Sequence, residues 1–137
     1  MKLKLNPKFQ PCPVDDRDEI YPNGFFHFNI TKLFEFIQKN NFPVEHVSVQ
    51  EIRSDLKADI LDQDTIKTAN LQNPIILAEI SPNRFNVIDG NHRVEKAFRD
   101  SLSNIPAYRI SPKDHVQFLT DEKSYKAYVR YWNDKLL

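Results

Sequence analysis

The sequence predicts a small α+β fold, a mixed sheet packed with helices, on three observations. Short stretches at 75–80, 85–89 and 105–110 are alternating or nearly continuous in apolar residues, as strands are. Between and after them, Leu33 and Ile37, then Val94, Ala97 and Phe98, then Tyr125, Tyr128, Val129 and Trp132 fall at helical spacing. Finally, 137 residues at 40% hydrophobic, with 10 Phe and 5 Tyr, suffice for one compact domain with its own core, residues 1–137.

Residues 1–22 hold four prolines and the run Asp15-Asp16-Arg17-Asp18-Glu19 without periodicity, which predicts an irregular arm. The acidic run reads as a solvated charge cluster rather than a metal site. Cys12, between Pro11 and Pro13 in this arm, is assigned no role. Residues 24–28 read as a short aromatic strand, with His27 exposed or merely packed. Asn29 or Thr31 then caps a helix over 32–39, whose broad apolar face is Leu33, Phe34, Phe36 and Ile37. Asn40-Asn41-Phe42-Pro43 ends it.

Val47 and Val49 alternate with Ser48 and Gln50, predicting a strand within 44–52. Ile52, Leu56 and Ile60 recur every four residues, favouring a helical stretch over 52–61. Asp62 or Asp64 caps the next helix, through Thr65, Ile66, Ala69 and Leu71. Pro74 opens 75–80, so continuously apolar that a central strand is expected. Ser81-Pro82-Asn83-Arg84 is a hairpin-type turn into 85–89. The helix after it ends near Leu102, Asn104 breaks the pattern, and 105–110 forms a strand. Ser111-Pro112 starts a turn or short helix. Thr120 or Asp121 caps an amphipathic helix over 121–135, where an aromatic stripe at this spacing reads as core.

The chemistry concentrates in FNVIDGNHRVEKAF, residues 85–98. A strand ends at Asp89, Gly90 follows as one of only two glycines, and a helix begins at once. Such a turn presents unpaired backbone N–H groups at a helix start, a ready anion site. Arg93 in the first helical turn opposes the helix dipole, and an anionic ligand would explain it. Amides from Gly90 through Arg93 can surround phosphate oxygens, Arg93 adding a planar fork. His92 can donate to phosphate or move a proton, its ordinary pKa lying near neutrality. Asp89 holds a Mg²⁺ bridging phosphates or simply caps the helix, and Asn91 offers an amide for orientation.

Asp89-Gly90-Asn91-His92-Arg93 with Ala97 resembles the Gly-x-x-Arg box of the ParB/sulfiredoxin-like superfamily. Asn73-Pro74-Ile75-Ile76-Leu77 resembles the strand before that box, and Ile105-Pro106-Ala107-Tyr108-Arg109-Ile110 the strand closing it. The likeness, spanning about residues 44–110, implies a ParB/sulfiredoxin-like fold and a nucleotide ligand (ATP, ADP or CTP), with Mg²⁺ at Asp89. Sulfiredoxins carry a cysteine where this chain has Asn91, so sulfinic-acid reduction is not implied. ParB proteins place an acid and a second arginine where Asn91 and His92 stand, so their CTP chemistry transfers in part. No helix-turn-helix module follows the box. A third branch, the free-serine kinases, uses an upstream glutamate as base, which Glu51 matches.

The expectation is therefore a nucleotide- and phosphate-binding domain using Asp89, Gly90, Asn91, His92 and Arg93. Glu51 and His92 are its candidates for NTP hydrolysis or phosphoryl transfer, reactions that depend chiefly on positioning and charge. One alternative is a non-catalytic nucleotide-sensing or protein-interaction module. Another is a metal-dependent nuclease, which would need Asp55, Asp62 or Asp64 folded onto the box. Lys+Arg and Asp+Glu both number 19, without the basic excess of a general nucleic-acid binder, so nucleic acid is not expected without a partner domain. The single Cys12 excludes an internal disulfide and fits a reducing cytoplasm. No stretch approaches ~18 consecutive apolar residues and no signal-peptide core is present, so a cytoplasmic protein without a membrane partner is expected.

Overall fold

A computed structural model describes residues 1–53 and 58–136. Strand β1 (Ile20–Asn23) and β2 (Phe26–Asn29) form an antiparallel hairpin, Ile20 opposite Asn29. Helix α1 (Ile30–Lys39) follows without a gap because Asn29 serves both elements. It ends β2 and caps α1, its Oδ1 accepting the Lys32 amide at 3.0 Å. Next come β3 (Glu45–Ser48), the single-turn α2 (Val49–Ile52) and α3 (Gln63–Thr68), capped by Asp62. Strands β4 (Ile75–Ser81) and β5 (Arg84–Asp89) then lead into α4 (Asn91–Arg99) and β6 (Asn104–Ile110). The chain closes with α5 (Pro112–His115), a 3₁₀ turn (Val116–Phe118) and α6 (Glu122–Asp134), capped by Asp121.

The main sheet has the order β3-β6-β4-β5. Its middle pair, β4 and β6, runs parallel, while β3–β6 and β4–β5 are antiparallel, making the sheet mixed as expected. Strand β4 is interior, and its alternation sends side chains to opposite faces. Ile76, Ala78 and Ile80 join one core with α1, the hairpin and α6; Ile75 and Leu77 join another beneath α4 and α2. Tyr125, Tyr128, Val129 and Trp132 are buried in the first core, which is why α6 carries its aromatic stripe. Among the described residues no helix is long and apolar enough to cross a membrane.

Several expectations change. The arm is not irregular throughout, since β1 lies at its end. Cys12 is buried in the first core, its amide donating to the Leu119 carbonyl at 2.9 Å, and burial pushes its thiol pKa up. Val49 begins a helix instead of ending a strand, because Ser48 Oγ accepts the Glu51 amide and turns the chain. Phe34 is half exposed and Ile60 is 81% exposed, so neither belongs to a core; Leu56 lies outside the described residues. Helix α4 stops at Arg99, before Leu102, and Asn104 sits inside β6.

One buried charge ties α4 down. Glu95, 4% exposed, accepts from Arg53 Nε at 2.8 Å and Arg99 Nε at 2.9 Å. The hydrogen bond from Arg53, aided by that from Arg99, holds its carboxyl below the usual range. The Arg53 guanidinium also covers the Phe98 ring at 3.6 Å, so α4 is fastened to the end of α2. Glu95→Gln removes the charge and keeps the shape. It is expected to cost about 2 kcal/mol in urea unfolding, with an unchanged denaturant slope.

Candidate functional site

The turn from β5 to α4 is built around Gly90, which adopts φ 109° and ψ 21°, a left-handed conformation that L side chains rarely take. A Cβ here would be driven into the Ile75 side chain, within 2.9 Å of its Cβ. Gly90 is therefore required by the close packing of α4 against β4. The room it leaves is filled by Ile75 and is not open to a ligand.

Arg93 braces the same turn. Its Nη1 donates to the Asn73 and Pro74 carbonyls at 2.8 and 2.9 Å, and its Nη2 to Asp89 Oδ2 at 3.2 Å. These bonds fasten the segment entering β4 to the end of β5. They also answer the cost of placing a cation in the first turn of a helix. The helix start itself has no side-chain cap. Its first backbone bond runs from the Val94 amide to the Gly90 carbonyl at 3.0 Å, so the amides of Asn91, His92 and Arg93 precede it. Asn91 Nδ2 donates to the Tyr21 hydroxyl at 3.4 Å, and His92 Nε2 accepts the Asp62 amide at 3.3 Å.

Beside the turn opens a cleft of about 550 Å³. One wall is the outer face of α1: Thr31, Phe34, Glu35 and Gln38. The other comprises Asn73, Pro74, Asp89 and Arg93. Glu19 and Ile30 contribute at the hairpin side, and Tyr108 of β6 contributes its hydroxyl, to which Gln38 Nε2 donates at 3.1 Å. Glu19 is anchored there, its amide donating to Thr31 Oγ1 at 2.8 Å and its carbonyl accepting from the Ile30 amide at 2.8 Å. The end of the acidic arm thus forms part of the cleft. Three lining carboxylates, Glu19, Glu35 and Asp89, face one guanidinium that is already partnered.

Of the predicted site residues, Asp89 and Arg93 line the cleft, while Gly90, Asn91 and His92 lie between them at the helix start without lining it. Glu51 is exposed on α2 and is not part of the cleft. Asp62 is committed to capping α3, and its hydrogen bonds with Thr65 lower its pKa. Asp64 sits in the first turn of α3, and Asp55 lies outside the described residues. Among the described residues no three metal-ligating side chains gather. Asp89 as a Mg²⁺ ligand would act as a single carboxylate beside phosphates, a common arrangement for that ion.

Sequence reasoning missed the α1 wall, although a signal existed. Thr31, Phe34, Glu35 and Gln38 fall at i, i+3, i+4 and i+7, one continuous face opposite the buried Leu33 and Ile37. No protein-family model matches the chain, and no curated protein matches it either.

Proposed function

We propose that the chain binds a nucleotide at the Asp89–Arg93 turn, with its base in the cleft and its phosphates at the start of α4, and that it does so without turnover. The observation that carries this reading is the uncapped helix start bracketed by two cleft-lining residues. The charge distribution supports this orientation. With Glu19, Glu35 and Asp89 against one arginine, the cleft interior repels phosphate, whereas the amides of Asn91 to Arg93 attract it. Phe34 and Pro74 offer apolar faces to a base, and Thr31, Glu35 and Gln38 offer polar groups to its edge. A Mg²⁺ arriving with the phosphates would find Asp89. Support for the absence of turnover comes from His92, whose Nε2, the atom that would take a proton, is occupied by the Asp62 amide. The likeness of the box to the ParB/sulfiredoxin-like superfamily points toward the same class of ligand.

Calorimetric titration with ATP, ADP, CTP and GTP, with and without Mg²⁺, tests the reading. Micromolar binding of at least one nucleotide is expected, with no phosphate release. Absence of heat at millimolar nucleotide removes the proposal, and phosphate release abolished by Glu51→Gln or His92→Gln removes its non-catalytic part. Asn91→Asp separates binding from stability. A carboxylate at the first helical position favours the helix by about 0.5 kcal/mol. The same carboxylate repels phosphate and should weaken nucleotide binding about tenfold or more.

A further inference from the structure

Away from the cleft, the first residues of the chain lie along α6 and are pinned there. The Leu3 amide donates to Asn133 Oδ1 at 2.8 Å, and Asn133 Nδ2 donates back to the Leu3 carbonyl at 2.9 Å. Trp132 Nε1 donates to the Met1 carbonyl at 2.8 Å, and the Asn6 amide to the Tyr125 hydroxyl at 2.7 Å. A shallow groove of about 350 Å³ results, with Leu3, Leu5 and Val129 among its lining residues. Its cations are Lys2, Lys4, Lys126 and Arg130, all exposed. Across the Lys126–Arg130 row lies a second groove of about 350 Å³, lined also by Ala127, Tyr131 and Asp134. Lys126 reaches Glu122 at 2.9 Å, so the local excess is positive but partly offset. Asp134 also lines the second groove, so the four cations are set against two carboxylates, a local positive excess in a formally neutral chain.

We infer that these paired grooves form a docking surface for an acidic amphipathic peptide segment of a partner protein. Carboxylates along one side of the segment meet Lys2, Lys4, Lys126 and Arg130, while aliphatic side chains enter the floor between Leu3, Leu5 and Val129. The floor decides between polyanions. A single-stranded nucleic acid takes its affinity from aromatic platforms as well as cations. The first groove is lined by aliphatic side chains instead, and Tyr131 in the second has Lys135 Nζ 5.1 Å from its ring centroid. Leu5, 53% exposed, is an unfilled apolar contact at the cationic rim. The surface shares no lining residue with the nucleotide cleft and stands independently of it.

Fluorescence anisotropy of the full chain with a labelled glutamate–leucine helical peptide tests the surface, with leucines at i, i+3, i+4 and i+7. Micromolar binding is expected. The Lys126→Glu/Arg130→Glu double variant should weaken it at least about tenfold, as should replacing the leucines by serine at constant charge. Glu122→Gln, which frees Lys126, should tighten it several-fold, a direction no misfolded variant can mimic. The inference is overturned if the peptide fails to bind or if the serine peptide binds equally. It is also overturned if oligo-dT or phosphatidylserine vesicles engage the same cations more tightly than the peptide.

Discussion

Gly90→Ala will lower the stability of the protein by about 4 kcal/mol, because two penalties fall on the same methyl group. At φ 109° an L side chain costs about 1–3 kcal/mol in backbone strain. The new Cβ also collides with Ile75, a fully buried branched side chain on the interior strand β4, and overpacking of this kind costs a further 1–3 kcal/mol or so. Gly24 supplies the control. It too has a positive φ, 64°, but a Cβ there meets nothing within 4 Å, so Gly24→Ala should cost only about 1 kcal/mol. Urea unfolding of the two variants distinguishes the origins. Equal losses would mean that strain alone matters and that the contact between α4 and β4 can relax.

Stability should also fall by about 3 kcal/mol as the pH drops from about 6.5 to about 4, through His115. This residue is fully buried between Phe28 and Tyr128. Its Nε2 lies 2.8 Å from the Glu79 carbonyl, to which it must donate, and Tyr128 donates to that same carbonyl at 2.6 Å. Nδ1 has no hydrogen-bond partner. Burial, only partly offset by the bond to Glu79, depresses the pKa to about 4. Above pH 6.5 the ring is neutral in both the native and unfolded chains and carries no penalty. On acidification the unfolded chain takes the proton first, so native stability drains away until the native ring also protonates near pH 4. Carboxylates with lowered pKa, including Glu95 and Asp18 (held to about 2, chiefly by its bond from Asn29), lose their stabilisation as the pH falls through their ordinary values of 4.5 and 3.8, so they overlap only the acid end of that window, below about pH 5. Thermal melts across pH 5–7, above the range of the carboxylates, should therefore show a slope that His115→Gln abolishes, since the glutamine amide can reach the same carbonyl without titrating. A slope retained in that variant would place the titration elsewhere.

Much of the sheet was legible because its strands carry their burial in their pattern. The unbroken run that became β4 is apolar on both faces because the strand is interior with a core on each side. The misreadings share a cause, the dependence of local structure on hydrogen bonds that alternation does not register. Val49 looked like the next strand residue, yet Ser48 and Glu51 stand at the spacing of a capping box, and the Ser48 hydroxyl begins a helix there. The proline-rich arm offered no periodicity, but β1 needs only a partner strand, and Cys12 only a cavity, to become ordered.

The site was legible in position more than in purpose. The Asp-Gly followed by helical spacing located the turn, and Asp89 and Arg93 do face a cleft. The reason for the glycine was invisible, because Ile75 is fifteen positions away in sequence and adjacent only after folding. The partners of Arg93 at Asn73 and Pro74 are distant in sequence for the same reason.

The parallel pairing of β4 with β6 has a consequence for how the chain assembles. Two strands running the same way cannot be joined by a tight reversal, so all of β5, the glycine bend and α4 intervene between them. The middle ladder, with the most buried strand in the sheet, is consequently a non-local contact whose closure entropy is met only once the neighbouring hairpin and helix are in place.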